Sequence, residues 1–139
     1  MYLTGGIVIR HINPSGYVYY DNEAELCQEL EKHFFPSFFD KGYEKEKSPN
    51  GYCKKRVDYY GKKDKINTWI EVKNWWVTKS NIKQIINYHC FFEKPFLFYV
   101  ICGGIIKERQ HLLEYEFKVK IIETKDIKEI NPKELVYWM

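Results

Sequence analysis

Between Arg56 and Trp75 the chain places ionisable side chains inside segments that otherwise read as buried β-strand, an arrangement few folds tolerate. Arg56-Val57-Asp58 is followed by a short basic gap and then by Trp69-Ile70-Glu71-Val72-Lys73-Asn74-Trp75. Side chains alternate across a strand, so Glu71 and Lys73 project from one face while Ile70 and Val72 project from the other into apolar packing. With Arg56 to Tyr60 as the partner strand and Gly61 to Lys65 as the turn, Asp58 falls within a residue or two of Glu71. Two carboxylates and a lysine then converge on one patch.

Two readings of that patch stand side by side. One is a cross-strand ion pair on a solvated face, worth ~0.2 to 1 kcal/mol. The other is a site for a hard divalent cation, which takes oxygen ligands, keeps several waters and is commonly held by one or two carboxylates plus substrate phosphate. In the second reading the lysine offsets negative charge developing on an attacked phosphodiester or orients the nucleophile.

Two helices flank these strands in sequence. Asp21 to Phe35 carries Asp21 or Asn22 as N-cap, an acidic first turn and an apolar stripe of Leu26, Cys27, Leu30 and Phe34. Projected at ~100° per residue, Glu23 lies in that stripe while Glu25 and Glu29 lie on the far side. Glu23 either reaches solvent past the helix end or is a third carboxylate facing the patch. The second helix, from Thr78 or Ser80 to Glu93, buries Ile82, Ile85, Ile86, His89 and Phe92 and presents Ser80, Gln84, Asn87 and Tyr88 on its other side. Gln84 and Tyr88 share a face there, where an amide and a phenol can contact phosphate or bases.

The order Glu23, Asp58, Glu71-Val72-Lys73 and Gln84-Ile85-Ile86-Asn87-Tyr88 resembles the PD-(D/E)XK nuclease superfamily. Glu-X-Lys followed by Gln-X-X-X-Tyr is similar to its RecB-like branch, which includes Cas4-type nucleases. Ile70-Glu71-Val72-Lys73-Asn74-Trp75 also resembles the corresponding run of Mrr-like restriction endonucleases, and small Holliday-junction resolvases share the helix, Asp and Glu-X-Lys pattern. The resemblance covers roughly Asn22 to Cys102. It implies a restriction-endonuclease-like αβββαβ core, a central mixed sheet flanked by helices. It further implies that Asp58 and Glu71 bind Mg²⁺ or Mn²⁺ with the Val72 carbonyl, that Lys73 is catalytic, that Glu23 assists, and that Gln84 and Tyr88 support substrate. Val57 stands where the family signature has proline, and the cysteines do not fit the iron-sulfur site of Cas4-type members.

The 139 residues suffice for one α/β domain with its own core: 1–20 as an N-terminal hairpin extension, 21–123 as the core and 124–139 as a tail. A net charge of +3 is too modest to hold a polyanion by itself, so affinity for DNA must come from local clusters. Lys54, Lys55 and Arg56 on one side of the patch, and Lys62, Lys63 and Lys65 in the turn, are candidates for phosphate contact or for a solvated basic edge. Cys27, Cys53, Cys90 and Cys102 form no Cys-X-X-Cys pair, and His11, His33, His89 and His111 lack ligand spacing. Reduced thiols, no recognisable signal peptide and no bilayer-length apolar run lead to the expectation of an intracellular, cytoplasmic protein without membrane contact.

The remaining segments complete the expectation. Gly6 to Ile12 and Gly16 to Tyr20 read as the extra hairpin around Asn13-Pro14-Ser15-Gly16, Lys41 to Gly51 as a loop, and Phe96 to Cys102 as a central strand closed by Gly103-Gly104. Leu113 to Ile121 alternates as a half-buried strand, and the tail from Lys125 suggests a short helix broken at Pro132. Phe34, Phe35, Phe38 and Phe39 crowd around Pro36, so either they pack locally or they form a homodimer contact. The function expected is a Mg²⁺-dependent deoxyribonuclease that hydrolyses DNA phosphodiesters with activated water. The alternatives are a nucleic-acid-binding or assembly protein that keeps the fold without turnover, a Holliday-junction resolvase, and an RNA-directed nuclease.

Overall fold

The longest strand is β5 (Ile66–Trp76), and the chain is organised around its pairing with β6 (Phe96–Gly104). The computed structural model describes residues 10–51, 54–128, 130 and 134–136, the last three by backbone alone. A five-stranded mixed sheet runs in the order β3 (Tyr43–Lys47), β4 (Val57–Lys63), β5, β6, β7 (Lys120–Glu123). The β3-β4-β5 part is antiparallel; β5, β6 and β7 are parallel.

A helix lies against each face. On one side α1 (Glu23–His33) and the short α2 (Phe35–Phe38) bury Leu26, Leu30 and Phe35 against Tyr59, Ile70, Val72 and Ile101. On the other, α3 (Lys79–Phe91) buries Ile82, Ile85 and Tyr88 against Val57, Trp69, Phe98, Val100 and Cys102. Central β6 is apolar because both its faces are covered, as parallel sheets require. Asn22 caps α1 through its side chain, and Thr78 and Asn81 form a reciprocal capping box on α3.

A smaller sheet holds β2 (Val18–Tyr19), β1 (Arg10–Ile12) and β8 (Glu134–Val136), with β1 antiparallel to β2 and parallel to β8. The hairpin docks on the end of β6, where a Cβ on Gly103 would lie 2.7 Å from the Asn74 carbonyl oxygen and 3.1 Å from that of Val18. Only glycine permits that approach of backbones.

The α-β-β-β-α-β order is present, as α1, β3, β4, β5, α3 and β6. Four expectations need correction. Residues 41–51 are not all loop, because Tyr43–Lys47 forms edge strand β3, the first of the three core strands. Gly61 to Lys63 stay in β4, and the turn is only Asp64-Lys65, both at positive φ of 51° and 68°. Leu113 to Ile121 is not one strand. Helix α4 (Lys107–His111) runs into a π-helical turn over Leu112–Glu116, Tyr115 is 68% exposed, and β7 begins only at Lys120 after Lys118 at φ 57°. Among its described residues the tail carries a 3-10 turn (Thr124–Asp126) and then β8 rather than a helix. The parts of the hairpin and tail expectations that fall on 1–9 and Pro132, and on Cys53, lie outside the described residues.

The four phenylalanines pack locally. Phe35 and Phe39 are buried, and their rings join Phe34, Phe38, Tyr43, Tyr59 and Tyr99 in one aromatic cluster under α2. The ring-crowding argument for a homodimer contact is thereby met inside the chain. Among the described residues, no helix is long and apolar enough to cross a membrane.

Candidate active site

The register of the β4-β5 hairpin builds the site. Tyr59 pairs with Ile70 and Tyr60 with Trp69, so Asp58 and Glu71 come next, at the end of the paired ladder. Beyond a ladder's end, backbone donors need new partners. The two carboxylates supply them: the Asp58 amide donates to Glu71 Oε1 at 3.2 Å, and the Val72 amide donates to Asp58 Oδ2 at 2.7 Å.

The pair is held where carboxylates are uncomfortable. Glu71 is 3% exposed, and burial, followed by the charge of Asp58, pushes its carboxyl up to about 8. Burial also raises Asp58, against the Val72 amide, the hydrogen bond to Glu71 and the charge of Lys73, which lower it. The charge of Asp58 thus adds to burial in disfavouring the ionised form of Glu71. Lys73 is the compensating charge. Its Nζ lies 3.3 Å from Glu71 Oε2 and donates to Gln84 Oε1 at 2.8 Å.

From Lys73 the polar contacts continue through α3. Gln84 Nε2 donates to the Tyr88 hydroxyl at 3.4 Å, which in turn donates to the Arg56 carbonyl at 2.8 Å. Glu71, Lys73, Gln84, Tyr88 and the residue two before Asp58 thus form one connected set across β4, β5 and α3. Tyr88 is corrected here: it is 3% exposed and part of the core, not of a solvated face. Its hydroxyl is committed to the β4 backbone, so it supports the site from behind. Gln84 is half-buried and orients Lys73, while still lining an open cleft with Lys55, Ser80, Lys83 and Asn87.

Glu23 is exposed at the first turn of α1 and does not belong to the buried stripe, a second correction. It nevertheless stands in the field of the pair: partial desolvation and then Asp58 raise its carboxyl, while Lys73 lowers it. Glu29, expected on the far side of α1, is buried near Tyr20, because the segment after the hairpin covers that side too. Lys54, Lys55 and Arg56 are exposed just ahead of β4, and Arg56 Nη1 donates to the Glu46 carbonyl at 3.3 Å. Lys62, Lys63 and Lys65 do not flank the site; they sit at the opposite end of the hairpin, roughly 17 Å along the strand from Asp58.

Sequence reasoning missed Asn74. Its side chain takes the Tyr20 amide at Oδ1 (2.8 Å) and gives Nδ2 to the Tyr20 carbonyl (2.6 Å), pinning the entry to α1 against β5. A bond between residues 54 apart leaves no local signal.

Asp58 and Glu71 fit a hard divalent cation on the chemistry of their oxygens: two carboxyls brought together out of water, the charge of one raising the other, are what a cation would relieve. Among the described residues, no group of three His, Cys, Asp or Glu side chains comes together as a metal cage, so Glu23 does not complete one.

No protein-family model matches the sequence, and no curated protein matches it. Among solved structures, the chain is similar to a repair endonuclease from Pyrococcus abyssi, at 16% identity and a TM-score of 0.56. The match takes in 76% of this chain and 47% of that one, so the chain spans about half the length of that protein. At this identity the likeness shows a shared nuclease-like fold.

Proposed function

We propose that the chain is a metal-dependent deoxyribonuclease of the PD-(D/E)XK type. The observation that carries the reading is the buried Asp58-Glu71 carboxyl pair at the end of the β4-β5 ladder, with Lys73 held between Glu71 and Gln84. A purely structural ion pair has no use for two adjoining carboxyls, since the second costs stability that a single glutamate-lysine pair would not. The likeness to a repair endonuclease favours DNA as the substrate.

In this reading Asp58 and Glu71, with the Val72 carbonyl, would hold Mg²⁺ or Mn²⁺, which supplies Lewis acidity to a phosphodiester and to water. Lys73 points its ammonium at the same place and offsets the negative charge that grows on the phosphate oxygens. Gln84 keeps that ammonium aimed, and buried Tyr88 fixes the α3 side of the site to β4. Glu23, which stands in the field of Asp58 and Lys73, would assist the metal site. Lys55 and Lys83 extend the cleft along α3 with charges suited to flanking phosphates.

The test is cleavage of labelled single-stranded, duplex and four-way-junction DNA with Mg²⁺, with Mn²⁺ and with EDTA, beside Asp58→Ala. Metal-dependent cutting that vanishes in the variant is expected. Binding by both proteins without cutting by either would sink the proposal and leave a binding protein.

A further inference from the structure

Past Lys73, strand β5 changes character. Its pairing with β6 shifts register between Lys73 and Trp76, and irregularities of this kind beside active sites re-aim side chains. Trp75 lies within that shift and is 41% exposed, whereas Trp69 is buried and Trp76 half-buried.

The exposed indole is held from the hairpin side. Tyr19 meets it edge-on at 4.5 Å, and Trp76 is nearly perpendicular to it at 6.1 Å. Tyr19 is in turn stacked by His11 at 5.1 Å, whose Nε2 is 2.6 Å from Asp21 Oδ1. Rings braced in this way lose little freedom when another flat ring is laid on them. The packing also gives the N-terminal hairpin a part in the site, since β2 carries Tyr19.

Position decides what could use that surface. Trp75 is two residues beyond Lys73, about 6.7 Å along the strand. A nucleic-acid strand with a phosphate at Asp58, Glu71 and Lys73 therefore carries a neighbouring base close to the indole. Exposed Lys79, at the start of α3, adds positive charge on the same connection. A base inside a duplex already has both faces covered, but one out of the stack can lie on an aromatic ring, whatever its identity.

We propose that Trp75, braced by Tyr19, is a stacking platform for an unpaired base next to the scissile phosphate, so that the preferred substrate has single-stranded DNA at that point. The inference rests on the nuclease reading above and deepens it.

The experiment measures binding rather than cutting, in an Asp58→Asn background, by anisotropy of a labelled oligo-dT and of a labelled blunt hairpin duplex. Trp75→Ala is expected to weaken oligo-dT binding ~10-fold, as loss of one base-aromatic stack does, and to move the hairpin by less than about twofold. Trp75→Phe should restore most of the single-strand affinity. Trp75→Leu, which fills the contact with Tyr19 but has no ring, should not. Equal losses on both DNAs, no loss on oligo-dT, or rescue by leucine as good as by phenylalanine would overturn the platform and leave the nuclease reading standing. If the Asp58→Asn parent binds neither DNA, the platform falls together with the assignment of DNA as substrate.

Discussion

Asp58 and Glu71 meet in two ways: the Asp58 amide donates to Glu71 Oε1 at 3.2 Å, and the two carboxyls lie close enough for the charge of Asp58 to push that of Glu71 up. The first bond belongs to folding, because it satisfies a donor left over where the ladder ends. The second is what the proposed function would use, because it brings two carboxyls closer than their charges favour.

The strain of that pair should be readable in stability. Glu71 has an ordinary carboxyl near 4.5 when unfolded and about 8 when folded, so between those values the folded state binds more protons. Its contribution is fully present below pH 4.5 and is lost as pH rises through 8, with a slope of at most ~1.4 kcal/mol per pH unit. In EDTA, Glu71→Gln is expected to flatten this decline and to raise the thermal midpoint at pH 8 by several degrees, at about 4 °C per kcal/mol; in a separate assay with Mg²⁺ it is expected to abolish cleavage. A midpoint that falls at pH 8 would show that the pair stabilises the fold.

Lys73 and Gln84 should separate in kinetics. Lys73→Ala removes the charge facing the phosphate and should cost ~100-fold or more in kcat with metal binding kept. Gln84→Ala leaves the ammonium in place but unaimed, so a kcat loss of ~10-fold with little change in KM is expected. A loss confined to KM would make Gln84 a substrate contact and not a support for lysine.

How much of this was legible in the sequence depends on the range of the interactions. The β4-β5 register was readable because alternation and charge agree over many residues, and α1 and α3 because their caps and stripes do. Strand β3, Tyr-Glu-Lys-Glu-Lys, was not, since an edge strand exposed at three central residues carries no apolar alternation. Tyr88 was assigned to the wet side of α3 because a phenol at the margin of a stripe reads either way until the Arg56 carbonyl is seen to take its hydroxyl. Leu113 to Glu116, the start of the expected strand, alternate only by coincidence with a helical turn that buries Leu113 alone.

The junction of hairpin and core gives a stability prediction. Asn74→Ala strands both the amide and the carbonyl of Tyr20, which is buried, at a cost of about 1–3 kcal/mol. Gly103→Ala should cost at least as much, since its Cβ would meet backbone atoms of Asn74 and Val18 that cannot move independently. Gly104→Ala meets the edge of the Tyr17 ring at 2.8 Å, a side chain that can turn aside, and should be milder. Urea unfolding of the three variants checks the order, and a Gly104 variant less stable than the Gly103 variant would contradict the docking described.

The two basic clusters give the last prediction. Lys55 and Lys83 line the cleft that Gln84 shares, whereas Lys62 and Lys65 line a separate hollow beside Asp40 at the far end of the β4-β5 hairpin. Each phosphate contact contributes about 0.9 to the slope of log K against log salt concentration on duplex DNA and about 0.7 on a single strand. Lys55→Ala and Lys83→Ala should therefore each flatten the slope for single-stranded DNA by about 0.7 and weaken binding at low salt. Lys62→Ala and Lys65→Ala should leave the slope unchanged. The reverse pattern would move the path of the strand to the other end of the hairpin, away from Asp58 and Glu71, and would separate where the chain binds DNA from where its carboxylates lie.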